Sequence, residues 1–408
     1  MKVFIRALLS GVLFVLGMAA GSPGLAAGVQ GASPGSIDIG VQVSLTGPAS
    51  SIGQGFKAGT QLAADEINAH GGINGRKIHL VFEDDAGTAA GGILAVRRLM
   101  EQDGVFAIFG GGVSTSTASV IPLVQQSQFL YYDSLASDPR VLEHYSPYVF
   151  SGATVVRADV TSYLADVMKQ DFKAKRVATL TSDEGYCTSG MTLLKPKIVA
   201  RGMDLVSEQT FQSGDIDFSA QGAALKAAKP DVIYLCGVPA DGGRMIPQLR
   251  RDGVTAKFLG DPALADPVTI EGAGKVANGF YAPYEVSKDW LGETSGAMAE
   301  WKARFAKAFP HPAPGTPNSF SLAAYSDFFV FAEGIRRAGS EVTPDRVIAG
   351  LDSLRNFVGG KTAAWSYAVP IGTPRTFKKG DHKGSGERDM TLLIVRDGAF
   401  ARAKGLQM

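Results

Sequence analysis

"SIDIGVQVSLTGPASSIGQGFKAGTQLAADEINAHGGINGRKIHLVFEDD", Ser36–Asp85, decides the fold class. Apolar and polar residues alternate from Ile37 to Leu45, the period of a strand. After the loop "TGPASSIGQG", Phe56, Ala63 and Ile67 recur on one helical face, and Gly71-Gly72 stops the helix. "KIHLVFEDD" then reads as a second strand. Outward from this unit the alternation continues. "GGILAVRRLMEQDG" is a helix, "VFAIFGG" a strand, "STASVIPLVQQS" a helix and "FLYYD" a strand. The rhythm restarts after "PYVFSGAT", with a helix over Arg157–Asp171, "RVATLTSD", a helix around Met191–Arg201 and "MDLVSEQTF". A helix near Phe218–Ala228, "DVIYLCG", a helix near Gly243–Arg251 and "KFLGD" complete it. Alternating strands and helices predict an α/β fold of two similar, doubly wound lobes with mainly parallel sheets. After "GFYAPYEV" the pattern turns helical, with Met298–Phe309 and Ser319–Ala338 clearest, and "MTLLIVRDGAF" reads as a late strand.

The ends and totals set the compartment and exclude several classes. Lys2 and Arg6 precede a 14-residue apolar run, Ala7–Ala20, followed by small residues to Ala27. That order is a cleavable export signal over residues 1–27, and the run is too short to span a bilayer, which takes about 20 apolar residues. No cysteine lies near the cleavage site, so a lipid anchor is not expected. The remaining chain of about 380 residues exceeds what one core usually serves, so two domains are expected. A formal charge of +1 supplies no basic field for nucleic acid or an anionic membrane. Cys187 and Cys236 are the two cysteines, open to one disulfide or to two buried thiols. The oxidising compartment favours the bond.

In open parallel sheets the ligand crevice lies beyond the carboxyl ends of the strands. The loops there are "GGGVSTST" (110–117), "DSLASDP", "SDEGYCTSG", "CGVPAD" and "GDPALAD". A glycine-rich loop opening a helix presents unpaired N–H groups that suit an anion, and "GGGVSTST" has that form. It lacks the Gly-Lys-Ser/Thr ending of a triphosphate loop and is not G-x-G-x-x-G. Catalytic arrangements are poorly supported. The five histidines show no metal-ligand spacing, and no G-x-S-x-G elbow occurs. Asp84 and Asp85 are adjacent on a strand and so point to opposite faces, which fits turn or helix capping better than paired acid–base work. The reading is no enzyme, no cofactor and no metal.

In the order of its motifs the chain resembles the periplasmic leucine/isoleucine/valine-type solute-binding proteins of ABC transporters, the type I "Venus flytrap" fold. The likeness rests on L-T-G-P, G-x-x-x-G, A-A-D-E-I-N and G-G-I-N-G-R in the opening segment and runs to "FSLAAYSDFFVFAEGIRRAG". It implies that the first lobe holds a ligand carboxylate with Ser114, Thr115 and Ser116 from one loop, and with Leu135 (backbone) and Ser137 from a second. Tyr186 would close from the second lobe. The acid that holds an ammonium in amino-acid binders of the family is replaced here by Pro262, with Asp261 one residue early. Two expected aromatic residues are replaced by Val238 and Ile52.

The resemblance also implies the layout. Lobe one would comprise 37–152 and 283–356, and lobe two 153–282 and 357–408. Crossovers would lie near Ser151–Thr154, Tyr281–Pro283 and Phe357–Gly360. The expectation is a periplasmic monomer, not inserted in a membrane, that delivers a small carboxylate to an inner-membrane ABC permease. An amino acid is favoured over an aromatic or other organic acid. A ligand-binding module of a sensory system is the alternative.

Overall fold

The structure, a computed structural model, describes residues 29–153, 157–284, 296–359, 364–368, 374–384 and 390–403. The export signal expected over 1–27 lies outside them. The first sheet comprises β1 (Ser36–Val43), β2 (Lys77–Asp84), β3 (Ala107–Gly110), β4 (Tyr131–Asp133) and β5 (Val149–Ser151), in the order β2-β1-β3-β4-β5. All its pairings are parallel. Parallel strands are covered on both faces, and β1 accordingly buries its polar Gln42 along with Ile37, Ile39, Val41 and Val43. Helices α1 (Ser50–Ala69), α2 (Ala89–Arg97) and α3 (Ser114–Gln126) connect these strands.

The second sheet holds β6 (Arg176–Ser182), β7 (Asp204–Phe211), β8 (Val232–Cys236), β9 (Lys257–Gly260), β10 (Phe280–Tyr284), β11 (Thr391–Arg396) and β12 (Ala399–Arg402). Its order is β12-β11-β10-β9-β8-β6-β7. Helices α4 (Arg157–Asp166), α5 (Gly185–Ala200), α6 (Ser219–Ala228), α7 (Pro239–Arg251) and α8 (Pro267–Ala273) belong to it. The pairings from β7 to β10 are parallel, whereas β10–β11 and β11–β12 are antiparallel. The one late strand expected over 390–400 is therefore a hairpin. Asp397 and Gly398 both adopt positive φ, 50° and 77°, at its two-residue turn. An Asp-Gly pair takes that conformation readily and turns the chain tightly back on itself.

Helices α9 (Gly296–Ala308), α10 (Ser319–Arg337) and α11 (Pro344–Asp352) follow β10 in sequence, yet they pack with the first sheet. The contact between α1 and α10 explains the G-x-x-x-G of the opening segment. A side chain at Gly59 would meet Ser321 O at 2.0 Å, and one at Gly55 would meet Asn318 Oδ1 at 2.2 Å. At Gly59 the helices can approach only because the position lacks a Cβ, since the atom in the way is backbone, whereas at Gly55 it is the Asn318 side chain.

The chain leaves β5 of the first sheet for α4 of the second, and leaves β10 of the second for α9 against the first. Residues 281–283, expected as a crossover, lie within β10 and pair with β11. The return expected near 357–360 comes later. Phe357 pairs with Arg375, Trp365 and Phe377 sit in the first core, and the His382 ring stacks on Phe150 at 3.6 Å. Ser151 N donates to His382 O and Gly384 N donates to Ser151 O, which extends the first sheet beyond β5. Phe377 lies edge-on to Tyr132 and Phe150 of the first sheet, while Trp365 packs on Phe329 of α10 and Tyr367 stacks on His70 at the end of α1. Only with β11 does the chain rejoin the second sheet.

Candidate functional site

A cleft enclosing about 780 Å³ of empty space, its open mouth included, lies between the two sheets. The loops after β3, β4, β6, β8 and β9 supply its walls, as the strand-end rule requires. From the first sheet's side come Ile52, Gly112, Val113, Ser114 and Leu135, and from the second Glu184, Tyr186, Gly237, Val238, Pro262, Ala263 and Tyr284. The first turn of α10 adds Ser319, Phe320 and Ala323. The wall is mostly apolar. Ile52, Val238 and Pro262, the three departures from the family pattern, all face it.

Ser114 is the first residue of α3 and is buried against the cleft, so its hydroxyl stands at the helix start beside N–H groups that have no partner within the helix. Leu135 lines the same wall. Thr115 and Ser116 do not. Ser116 Oγ donates to Asp85 Oδ2 at 2.8 Å, and that buried carboxylate also receives Gln42, Ser44 and the Gly87 N–H. Asp85 thereby ties the loops after β1, β2 and β3 together. Asp84, its neighbour, accepts from Leu45 N, Thr46 and Ala86 N, a turn-capping role whose hydrogen bonds hold its pKa below the usual value despite partial burial. Ser137 is buried away from the cleft wall, and its hydroxyl finds no hydrogen-bond partner among the described residues.

Thr115 makes a direct link between the two halves. Its N–H and its hydroxyl both donate to Glu184 Oε1 at 2.9 Å, and its hydroxyl oxygen accepts from Gly185 N at 2.8 Å. Glu184 is the N-cap of α5, where Oε2 accepts from Tyr186 N at 2.6 Å. Loss of water around this carboxyl pushes its pKa up, opposed by those donors.

Asp261 is fully buried and does not line the cleft. Arg157 Nη1 donates to Asp261 Oδ2 at 2.8 Å, and the Tyr234 hydroxyl donates to the same oxygen. The Arg157 guanidinium also lies 3.7 Å from the centre of the Tyr186 ring and donates to the Tyr186 carbonyl. Arg157 therefore fixes the aromatic wall of the cleft while neutralising the acid behind it. Cys187 and Cys236 form a disulfide, which joins the start of α5 to the end of β8 directly below this wall.

Sequence reasoning missed Glu184, Arg157, Tyr284 and the α10 turn. Glu184 carried a legible signal, being an acid two residues before Tyr186 in a loop already singled out. Arg157 and Phe320 carried none, since Arg157 backs the Tyr186 wall and Phe320 reaches the cleft, each from a helix remote in sequence. Among the described residues no group of His, Cys, Asp and Glu could hold a metal ion, and no helix is long and apolar enough to cross a membrane.

The periplasmic binding protein family matches residues 36–399. Leu/Ile/Val-binding protein homolog 3 of Brucella melitensis is 30% identical over 315 residues, covering 77% of this chain and 82% of that protein. An amino acid binding protein of Pseudomonas aeruginosa is 24% identical over 351 residues, 85% of this chain and 87% of its own. Among solved structures, the branched-chain amino acid transporter substrate binding protein of Streptococcus pneumoniae, in complex with isoleucine, superposes with a TM-score of 0.75. It is 20% identical and covers 90% of this chain and 100% of that one. A Rhodopseudomonas palustris solute binding protein in complex with benzoate gives 0.74 at 16% identity, covering 90% and 95%. At these identities the two structures speak for the fold alone.

Proposed function

This chain belongs to the periplasmic binding protein family, and from that membership we propose that it is the solute-receiving component of an ABC importer. It takes a small carboxylate-bearing solute with an apolar body, first of all an amino acid of the leucine, isoleucine and valine class. It hands the solute to an inner-membrane permease from the periplasm. Residues 29–153 and 296–384 act as one lobe, and 157–284 with 390–403 as the other. Solute held between them favours the closed arrangement, because only there do both walls contact it. The solute leaves chemically unchanged.

One observation carries the reading: an apolar cleft between two sheets has its polar end at the N-terminus of α3, where Ser114 stands. A helix start stabilises a carboxylate through its free N–H groups and dipole. Ile52, Val113, Leu135 and Phe320 then enclose an aliphatic or aromatic body. A thermal-shift screen over amino acids, aromatic acids and short aliphatic acids tests the proposal, since a ligand raises the melting point by mass action. Stabilisation by none of these classes would end it. Recovery of the bound solute as a modified product would end the claim that it is only carried.

A further inference from the structure

The geometry points to Glu184 as the group that receives the ammonium of the solute. This rests on the amino-acid reading above and adds to it the residue that decides for an amino acid over a simple acid. Asp261, one residue from the family's ammonium-holding position, is already spent on Arg157 and Tyr234 and lies behind the cleft wall. Among the described residues that line the cleft, Glu184 is the one carboxylate, and none is Lys, Arg or His.

Three facts fit the role. A carboxylate offers about four lone-pair sites. Thr115 fills two on Oε1 and Tyr186 N one on Oε2, which leaves one open at the cleft. Glu184 is bonded to Thr115, the residue after Ser114, so its carboxylate borders the place assigned to the solute carboxylate. The two charged groups of an α-amino acid are attached to one carbon, so a carboxylate at Ser114 brings its ammonium to this border. Finally, a solute with a carboxylate and no ammonium would set two negative charges side by side in an apolar cleft, which raises the pKa of one of them. With an ammonium between them, all three groups keep their charge. The acid has moved from the loop after β9 to the loop after β6, and Arg157 makes the move necessary by neutralising the old position.

The test is titration calorimetry of the whole protein with L-leucine and with 4-methylpentanoate, the same molecule without its amino group. Glu184→Gln keeps the shape and the bond to Thr115 but removes the charge. Leucine affinity should fall by at least about 30-fold, while 4-methylpentanoate affinity stays or rises. Equal weakening of both solutes would mean that Glu184 only holds the two halves together, and would overturn the assignment. So would unchanged leucine affinity in Glu184→Gln. Wild-type protein that binds 4-methylpentanoate and none of the amino acids would overturn the amino-acid reading itself, and the assignment with it. The first two results leave that reading standing.

Discussion

Arg157 Nη1 and Asp261 Oδ2 lie 2.8 Å apart in a part of the second lobe that both side chains fill without meeting solvent. Breaking such a pair from one side leaves an uncompensated buried charge, at a cost of about 3–5 kcal/mol. Arg157→Met should therefore lower the melting temperature sharply, whereas Arg157→Met with Asp261→Leu should recover much of the loss. Denaturation of the two variants compares them directly. A single variant as stable as the wild type would show that the pair is not closed in solution.

Ser114→Ala tests the other end of the cleft. A hydrogen bond to a charged group contributes about 1.5–3 kcal/mol, so affinity for the best solute of the screen should fall roughly 10- to 100-fold. Backbone donors of α3 remain, which keeps the loss within that range. Calorimetry showing full affinity in this variant would remove the carboxylate from α3.

The disulfide between Cys187 and Cys236 closes a loop of sequence separation 49. On the chain-entropy account a loop of this length contributes about 4 kcal/mol by restricting the unfolded chain. Thiol titration of denatured, unreduced protein should find no free thiol. Cys187→Ala with Cys236→Ala should lower the denaturation midpoint without changing the fold seen by circular dichroism. Two reactive thiols in the wild type would rule the bond out.

Asp133 gives a pH dependence with a definite sign. Burial pushes its carboxyl up to about 8, against the pull of Ser151 and the Ala136 N–H. Unfolded, the same group ionises near about 3.9. Between these values the unfolded chain has released a proton that the folded chain keeps. Stability contributed below about pH 4 is thus lost as pH climbs towards 8. Asp266, raised by burial to about 7, acts in the same direction. In Asp133→Asn the fall in unfolding free energy from pH 5 to pH 8 should shrink by on the order of 2–4 kcal/mol. Urea denaturation at the two pH values is the measurement, and an unchanged fall would count against a protonated Asp133.

Much of the fold was legible because parallel α/β units repeat a period that few other architectures share. The helix expected over Ser319–Ala338 is α10 at Ser319–Arg337, and that expected over Phe218–Ala228 is α6 at Ser219–Ala228. The C-terminal hairpin was missed although Asp397-Gly398 stood in plain view, because the apolar run before it dominated the reading. The late return to the second sheet was not legible at all. Nothing local in residues 357–384 says that Phe377 will lie edge-on to Phe150, or that Arg375 will meet the buried Asp327. Such pairings are decided by which surface remains uncovered once the rest has packed. At the cleft, loop residues such as Ser114, Leu135 and Tyr186 could be named from their place after a strand. Side-chain direction could not, so Ser116 and Asp261 were assigned to a wall from which both turn away.

The strand-like contact of residues 382–384 with Ser151 joins groups more than two hundred residues apart, as the 233-residue separation of His382 and Val149 records. The hairpin of β11 and β12 likewise docks on β10 from the far end of the chain. Each sheet thus receives its final edge from residues 382–402, which follow every other strand of either sheet in sequence. Until that stretch arrives, β5 and β10 both present bare backbone to any passing strand. A chain cut short near residue 380 would keep those two edges open for good, and aggregation, more than lost affinity, would be the mark of such a truncation.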